Sequence, residues 1–265
     1  MYSRVELAFK YLHYFLNASN GRGHGIHSPF VYDFITHVLR DSSAPPEYAL
    51  VENLRRQLRK NRQLVLVEDL GAGSSQKNSA QRTIASLAVH AAKPKKYGQL
   101  LHRMARYYQP ECIIELGTSL GLSTAYLASG NPAAEVFTLE GAPAVADLAA
   151  AHFRQLGLTN IKVFRGHFDD RLPEILSHCK PVGLAFIDGN HRREPTLQYF
   201  EMLLDHAAPG TVLIFDDIHW SAEMESAWTA IKAHPDVLLT VDLFFIGMIF
   251  IREGFHIKQH FTIRF

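Results

Sequence analysis

The stretch that most constrains this chain is residues 112–128, CIIELGTSLGLSTAYLA. A short apolar run ends at Glu115, and a Gly-x-x-x-Gly turn with Gly117 and Gly121 then opens a segment of helix-forming composition, residues 122–128. Glycine lets the backbone bend tightly against a ligand, and the N-terminus of the following helix offers unpaired N–H groups to polar ligand atoms. The pattern therefore predicts a strand, a ligand-binding turn and a helix.

A second short strand is predicted for residues 135–140, which end in Glu140, 25 residues after Glu115. An acid at the tip of the second strand is where a doubly wound sheet binds ribose hydroxyls. Nicotinamide cofactors use a similar arrangement, but their fingerprint is Gly-x-Gly-x-x-Gly. Thr118 stands between Gly117 and Ser119 in this chain, so the spacing disfavours a nicotinamide oxidoreductase, which stays an alternative.

Together, the Glu115-x-Gly-x-x-x-Gly motif and Glu140 resemble the cofactor site of class I S-adenosylmethionine-dependent methyltransferases. The resemblance implies that the first acid and the glycines hold the methionine end of the cofactor, and that Glu140 holds the ribose. It also implies that Phe168 stacks on adenine and that Asp169 accepts its amino group, with an ordinary loop as the alternative. The cofactor-binding residues predicted in this way are Glu115, Gly117, Thr118, Ser119, Gly121, Ser123, Glu140, Gly141, Phe168, Asp169 and Asp188.

The rest of the chain alternates strands with helices, as a parallel sheet requires. Strands are predicted at residues 161–164, 184–187 and 211–215, and a closing pair at 237–243 and 247–251 is joined too closely for a helical crossover, so it must be antiparallel. We expect an α/β, Rossmann-like, doubly wound and mostly parallel seven-stranded sheet with an antiparallel last strand. An N-terminal helical cap is expected over residues 1–95, and the methyltransferase domain over 96–265.

Carboxylates follow two of these strands. Asp188 ends the fourth strand, and Asp216 and Asp217 end the fifth. The carboxyl ends of parallel strands form the ligand crevice of such a sheet, and a hard divalent ion is the natural compensation for several carboxylates in one crevice. A polar site without metal, or helix capping by Asp188, remains open at this point.

The segments FIDGNH, residues 186–191, and IFDD, residues 214–217, resemble the metal-binding strand ends of the cation-dependent, catechol-type O-methyltransferases. This resemblance covers residues 98–251, and it implies that Asp188, Asp216 and Asp217 bind Mg²⁺ or another divalent cation. Asp217 departs from the pattern, because that family usually has asparagine there. The extra charge would either strengthen metal binding or indicate acids that contact substrate directly.

Asp188 and His191 are the predicted catalytic residues. His191 lies three residues after Asp188, where the catechol-type enzymes have a lysine base. A hydroxyl that attacks a methyl group must lose its proton, and an imidazole can accept that proton at neutral pH. A surface position in a polar loop is the alternative for His191. His219 and Trp220 could line the substrate pocket.

The N-terminal region is predicted to be helical. Val5, Phe9, Leu12 and Leu16 recur at helical spacing, which indicates an amphipathic helix that packs on another part of the protein. The following glycine-rich loop, residues 21–30, carries His24 and His27. These histidines could contact substrate, or the loop could merely lead into a helix that begins at Ser28 and Pro29.

Residues 51–62 are predicted to form a helix with a basic face made by Arg55, Arg56, Arg59, Lys60 and Arg62. Such a face is usually solvated, although it could meet a phosphate-bearing partner. The next stretch, residues 64–75, imitates the cofactor motif with Gly71 and Gly73, but no second strand with a terminal acid follows it. We interpret it as a loop near the active-site mouth, not as a second cofactor site.

Composition limits the remaining possibilities. A chain of 265 residues, 47% hydrophobic, can bury a full α/β core, and its formal charge of +1 gives no strong reason to expect a nucleic-acid partner. Cys112 and Cys179 are the only cysteines, so no disulfide framework is expected and a reducing cytoplasm fits. The first twenty residues lack a signal-peptide core, and the longest apolar run, residues 237–251, is too short to span a bilayer. We predict a cytoplasmic protein without membrane contact.

The sequence thus predicts transfer of a methyl group from S-adenosylmethionine to a hydroxyl of a small catechol- or diol-like acceptor. A methyltransferase for hydroxylated tRNA bases is the alternative that the basic helix would serve. A catalytically silent methyltransferase fold that acts as a binding module is another. The C-terminal residues 255–265 alternate apolar and polar side chains like a strand, which could extend the sheet or meet the partner in a homodimer.

Overall fold

The computed structural model describes residues 1–19, 21, 23, 27–69, 78–179 and 181–265. The α-helices in this part of the chain are α1 (Arg4–Asn17), α2 (Pro29–Phe34), α3 (Pro46–Leu58), α4 (Ile84–His90), α5 (Lys95–Tyr108), α6 (Leu122–Gly130), α7 (Pro143–Gln155), α8 (Phe168–His178), α9 (Arg193–Leu204) and α10 (Ala222–Ala233). The strands are β1 (Leu64–Asp69), β2 (Asn78–Thr83), β3 (Cys112–Leu116), β4 (Glu135–Glu140), β5 (Ile161–Arg165), β6 (Val182–Ile187), β7 (Ala207–Asp216), β8 (Leu239–Asp242), β9 (Ile246–Phe250) and β10 (Gln259–Thr262).

The chain packs as two compact units. Unit 1 comprises Met1–Asp41 and Pro181–Phe265, and unit 2 comprises Ser42–Lys180. The domain boundary expected near residue 95 stays a prediction. Among the residues that the structure describes, no helix combines the length and the apolar character needed to cross a membrane.

Unit 2 contains the strand–turn–helix predicted around Glu115. Strands β3, β4 and β5 run parallel, with Cys112 opposite Glu135 and Val136 opposite Ile161. All residues of β3 are buried, and α6 is buried along almost its whole length. Because apolar residues fill both faces of β3, the strand can exist only with cover on both sides, as in α/β proteins.

Unit 2 also contains a hairpin that the sequence did not predict. Strand β2 pairs antiparallel with β1, with Leu64 opposite Thr83, so the first six residues of the segment interpreted as a loop form a strand. Gly71 and Gly73, interpreted as part of a loop at the active-site mouth, lie outside the described residues.

Unit 1 contains β6 to β10. Strands β6 and β7 are parallel, β9 is antiparallel to both β7 and β8, and β10 is parallel to β8. The antiparallel closing pair is therefore confirmed, and β10 supplies the extension that the C-terminal alternation allowed. Unit 1 has five such strands and unit 2 has three parallel strands, β3 to β5, which is one strand more than the expected seven. The expected α/β, mostly parallel architecture is confirmed.

Helix α1 forms where expected, but its contact face differs from the expected one. The side chains of Val5, Phe9, Leu12 and Leu16 are 52–69% exposed, whereas Tyr14 is buried against Phe244. Leu7 and Ala18 belong to the same buried cluster as Tyr14. The helix is apolar on two faces, and periodicity alone does not tell which face packs on the protein.

The region after α1 follows the predicted capping pattern. The Ser28 side chain accepts the Val31 N–H, and Pro29 is the first residue of α2, which continues as a π-helical turn over Ile35–Leu39. Helix α3 begins at Pro46, earlier than expected, because proline suits a first helical position. Arg55 does not belong to a basic surface: it is 4% exposed, and its Nε donates to Glu52 Oε1 over 2.9 Å.

The two cysteines are joined. Cys112 opens β3, Cys179 follows α8, and their Cα atoms lie 5.9 Å apart in a disulfide. This separation lies within the usual range for a disulfide. The expectation of unpaired cysteines is therefore wrong, because the fold of unit 2 brings together two positions that are 67 residues apart.

Candidate active site

In the glycine turn between β3 and α6, every second residue from Gly117 to Gly121 has a left-handed backbone conformation. Gly117, Ser119 and Gly121 have φ angles of 105°, 48° and 80°. The N–H groups of Gly117 and Thr118 both donate to the Leu139 carbonyl over 3.0 Å, which fixes the turn to the end of β4. Glycine at two of these positions avoids the steric cost that a Cβ atom carries there.

Glu140 is hydrogen-bonded to the glycine turn. Its Oε2 accepts the Ser119 N–H over 2.7 Å, and its Oε1 accepts the Ala142 N–H over 2.9 Å. Burial raises the pKa of Glu140 above its ordinary value, although bonds from the backbone N–H groups of Ala142, Ser119 and Gly141 oppose the rise. The structure therefore brings together Glu140, Ser119 and Gly141, three of the predicted cofactor residues.

Glu115 lies underneath the turn and is fully buried. Its Oε2 accepts hydrogen bonds from the Thr124 and Thr138 hydroxyls, and the Thr138 hydroxyl lies 2.6 Å from that of Thr118. Thr124 and Thr138 were not among the site residues predicted from the sequence. A threonine inside the otherwise apolar centre of EVFTLE was the signal for Thr138.

Helix α7 supports the turn from its other side. His152 Nδ1 lies 2.9 Å from the Leu120 carbonyl, and burial lowers the pKa of His152, so a neutral ring donates its Nδ1–H there. A Cβ atom on Gly121 would lie 2.5 Å from the Phe153 ring. Close packing as well as backbone angle therefore requires glycine at 121.

The other predicted cofactor residues of unit 2 are more exposed. Ser123 lies in the first turn of α6 and is half-buried, as is Gly141. Phe168 and Asp169 do not lie in a loop, because α8 already begins at Phe168. Phe168 is half-buried and Asp169 is exposed.

In unit 1, Asp188, His191 and Asp216 each offer one ligand atom, and these atoms all lie within 4.8 Å of one another. Asp216 is 1% exposed, and His191 Nε2 lies 3.6 Å from Asp188 Oδ1. The group is placed by the adjacent parallel strands β6 and β7, which Asp188 follows and Asp216 ends. Two carboxylates and an imidazole form a donor set that fits a divalent cation.

Asp217 is not part of this group of three. It has a left-handed φ of 53°, its N–H donates to the Phe245 carbonyl over 2.7 Å, and its carbonyl accepts the Trp220 N–H. Asp188 does not cap α9, since the N-cap residue of that helix is Arg192. The capping alternative for Asp188 is therefore wrong.

The histidines singled out in loops have different surroundings. His24 lies outside the described residues, and His27 is exposed. His219 Nε2 lies 2.8 Å from Asp242, and its Nδ1 lies 3.0 Å from Glu225. Burial disfavours charge on the ring, yet these hydrogen bonds raise the pKa of His219 above its ordinary value.

The strand order within each unit and the glycine turn define the class I methyltransferase fold. Solved structures agree with this class over most of the chain. An O-methyltransferase from Bacillus cereus in complex with SAH has a TM-score of 0.56 and 22% identity, and the match covers 83% of this chain and 97% of that one. The SAH-bound methyltransferase PaMTH1 from Podospora anserina has a TM-score of 0.58 and 14% identity, covering 85% and 97%.

Within this class, residues 114–218 match a family model described as a methyltransferase domain. A catechol O-methyltransferase from Niastella koreensis is 32% identical over 124 residues, which are 46% of this chain and 55% of that protein. The catechol O-methyltransferase from Mycobacterium tuberculosis is 31% identical over 123 residues, 46% and 54% of the two chains. This chain spans about half the length of these curated relatives. The similarity to catechol-type O-methyltransferases that was expected from the sequence is therefore confirmed over this part of the chain.

Proposed function

We propose that this protein is an S-adenosylmethionine-dependent O-methyltransferase that acts on a hydroxyl of a small catechol- or diol-like acceptor, with the help of a divalent cation. The observation that carries the acceptor class is the Asp188, His191 and Asp216 group. A base beside a cation site suits a reaction in which a hydroxyl must be deprotonated. A cytoplasmic location and a homodimer stay predictions.

The cofactor residues act by binding and orienting. The glycine turn would let the backbone lie close against the methionine end of S-adenosylmethionine, and Glu140 would accept hydrogen bonds from ribose hydroxyls. Glu115 would act from below the turn, since its carboxylate is buried and bonded to Thr124 and Thr138. Bound S-adenosylmethionine supplies a sulfonium methyl group, which the acceptor oxygen takes as the sulfur–carbon bond breaks and the sulfur keeps the electron pair.

His191 would accept the proton of the acceptor hydroxyl at Nε2. Asp188 Oδ1, 3.6 Å from that nitrogen, would then stabilise the imidazolium. A divalent cation held by Asp188 and Asp216 would lower the pKa of a hydroxyl bound to it. His191 is also close enough to both acids to serve as a third ligand, and the cation titration described below distinguishes this role from that of a base.

Isothermal titration tests the cofactor assignment. We expect micromolar binding of S-adenosylmethionine and S-adenosylhomocysteine to the wild type, and at least tenfold weaker binding to Glu140→Ala. Glu135→Ala is the matched control, since Glu135 belongs to the same strand but is exposed and paired with Lys162. Absence of binding to the wild type would contradict the proposal and favour a silent binding module.

Turnover tests the role of His191. We expect His191→Ala to bind the cofactor within twofold of wild type and to lose about 10²- to 10⁴-fold in kcat with a catechol acceptor, the usual contribution of a general base. His191→Lys should recover part of this loss, because it restores the residue of the catechol-type enzymes. Unchanged turnover of His191→Ala would remove His191 from the mechanism, and Arg192→Ala controls for disturbance of the loop.

Cation titration tests the metal assignment. Mg²⁺ prefers oxygen ligands only, whereas an imidazole also suits Mn²⁺, Co²⁺ or Zn²⁺. If His191 is a ligand, Mn²⁺ should bind more tightly than Mg²⁺, and His191→Ala should reduce this preference. Asp216→Asn should abolish cation binding measured by calorimetry. Cation-independent turnover in the presence of a chelator would contradict assistance by a metal.

A further inference from the structure

A separate cavity of about 520 Å³ lies in unit 1 between α1 and the carboxyl ends of β8 and β10. Tyr14 and Phe244 form its buried floor, while Phe9, Asn17 and Thr262 form an exposed rim. Its volume lies in the range of small-molecule binding sites. None of the residues assigned above to cofactor, cation or base lines it.

The floor of the cavity is aromatic and strained. Phe244 is buried with a left-handed φ of 73°, a conformation that costs free energy for a bulky residue. Its N–H donates to Asp242 Oδ1 over 2.8 Å, and its ring stacks on His219 with centroids 5.2 Å apart. Tyr14 packs against the same ring at 5.2 Å. The turn between β8 and β9 therefore packs the Phe244 ring between His219 and Tyr14 of α1, at the expense of backbone strain, and this aromatic cluster forms the base of the cavity.

The charged groups of the cavity wall are paired with one another. Lys10 Nζ lies 3.0 Å from both carboxylate oxygens of Glu225, and Glu225 Oε2 also accepts a hydrogen bond of 2.7 Å from the Tyr2 hydroxyl. His219 lies between Glu225 and Asp242. Each carboxylate thus already has a cationic or N–H partner within the wall. A charged ligand would have to break these pairs, whereas an uncharged ring would leave them intact.

The cavity shares a sheet edge with the Asp188, His191 and Asp216 group. Asp216 lies opposite Ile246 on β9, and the next residue of β9, Gly247, lies opposite Asp242 on β8. Two strand spacings of about 4.8 Å separate the backbones of β7 and β8, so Asp242 lies roughly 10 Å from Asp216 along this edge. That span is about the length of one substituted aromatic ring.

We propose that this cavity binds an uncharged aromatic group. Two sources of such a group are compatible with its position. One is the distal end of an elongated acceptor whose hydroxyl lies at the Asp188, His191 and Asp216 group, which rests on the function proposed above. The other is a separate small aromatic ligand.

The fluorescence of N-phenyl-1-naphthylamine, a neutral aromatic dye, tests the proposal without requiring methyl transfer. We expect saturable micromolar binding to the wild type and at least tenfold weaker binding to Asn17→Trp, which fills the rim. Ala8→Trp is the matched control, because Ala8 is an exposed α1 residue outside the cavity lining and should leave binding unchanged. Thermal melting of each variant verifies that it is folded.

Two results would overturn the proposal: no dye binding to the wild type, or equal binding to wild type and Asn17→Trp. Leu16→Lys supplies a further control, because the exposed apolar side of α1 could also attract the dye. Loss of binding in Leu16→Lys but not in Asn17→Trp would assign the dye to the helix surface and contradict the cavity site.

Competition distinguishes the two sources. If the cavity receives the acceptor, a catechol with an arylalkyl substituent should displace the dye, and its KM should be at least fivefold below that of catechol in wild type but not in Asn17→Trp. If the ligand is separate, that catechol should not displace the dye, and saturating dye should leave the KM for catechol unchanged. Dye binding without any methyl transfer would retain the cavity site while contradicting the proposed function.

Discussion

At the scale of single residues, position 121 of the glycine turn requires glycine for two reasons: its φ angle is positive, and the Phe153 ring leaves no room for a Cβ atom. We expect Gly121→Ala to lower the free energy of unfolding by about 3 kcal/mol, combining the cost of a left-handed Cβ with that of overpacking. Gly157→Ala is the matched control, because Gly157 also has a positive φ, 71°, but no heavy atom lies within 4 Å of its added Cβ. It should cost about 1 kcal/mol. Equal costs in urea unfolding would show that Phe153 moves aside freely.

His152 links the stability of unit 2 to pH. Burial lowers its pKa, so the folded state keeps the ring neutral at a pH where the unfolded state, with a pKa of about 6.5, already binds a proton. The stability that the neutral, buried His152 ring provides is therefore fully present above about pH 6.5, and it is lost as the pH falls toward the lowered pKa of the folded state. We expect the melting temperature of wild type to fall more between pH 7.5 and pH 5.5 than that of His152→Gln, which cannot be protonated. Parallel pH profiles would contradict a buried neutral His152.

At the scale of secondary structure, α10 ends in a cap that comes from a distant part of the sequence. Lys258 Nζ donates to the carbonyl groups of Lys232, Ala233 and His234 over 3.2, 2.6 and 2.9 Å. A cation at a helix C-terminus satisfies orphan carbonyls and favours the helix dipole. We expect Lys258→Met to lower the free energy of unfolding by about 1 kcal/mol. Lys162→Met is the control: it breaks an exposed pair with Glu135 and a contact of Nζ with the Phe137 ring but removes no helix cap, so it should cost less than Lys258→Met.

The sequence predicted those elements whose pattern has one physical interpretation. The β3 strand, its glycine turn and α6 were predictable because an apolar run must be buried and the paired glycines mark a tight turn. Strand β2, NSAQRT, was not, since it has no apolar alternation and forms through pairing with β1. The side of α1 that packs was also unpredictable, because the Tyr14 and Leu12 sides are both apolar. The separations of Asp188, His191 and Asp216 depend on which strands are neighbours. The sequence therefore predicted Asp188, Asp216 and Asp217 as cation ligands but could not show that His191 lies beside the two acids.

At the scale of the whole molecule, the Cys112–Cys179 bond is the one covalent link between distant described residues. Cross-linking positions 67 residues apart removes conformational freedom from the unfolded chain, by about 4 kcal/mol in the chain-entropy treatment. The bond joins the start of β3, which leads into the cofactor turn, to the end of α8. The stability of unit 2 should therefore depend on the redox state of the cysteines more than the stability of unit 1, which contains no cysteine.

We expect a reductant to lower the melting temperature of the oxidised wild type by several degrees, as a loss of several kcal/mol implies for a chain of this length. Thiol titration of the denatured protein should find no free thiol before reduction and two afterwards. Cys179→Ala should melt near the reduced wild type and be indifferent to reductant, which separates the bond from any other effect of the reagent. Two titratable thiols in the untreated protein, with a melting temperature insensitive to reductant, would show that the cysteines are adjacent but unbonded and that unit 2 is stable without the bond.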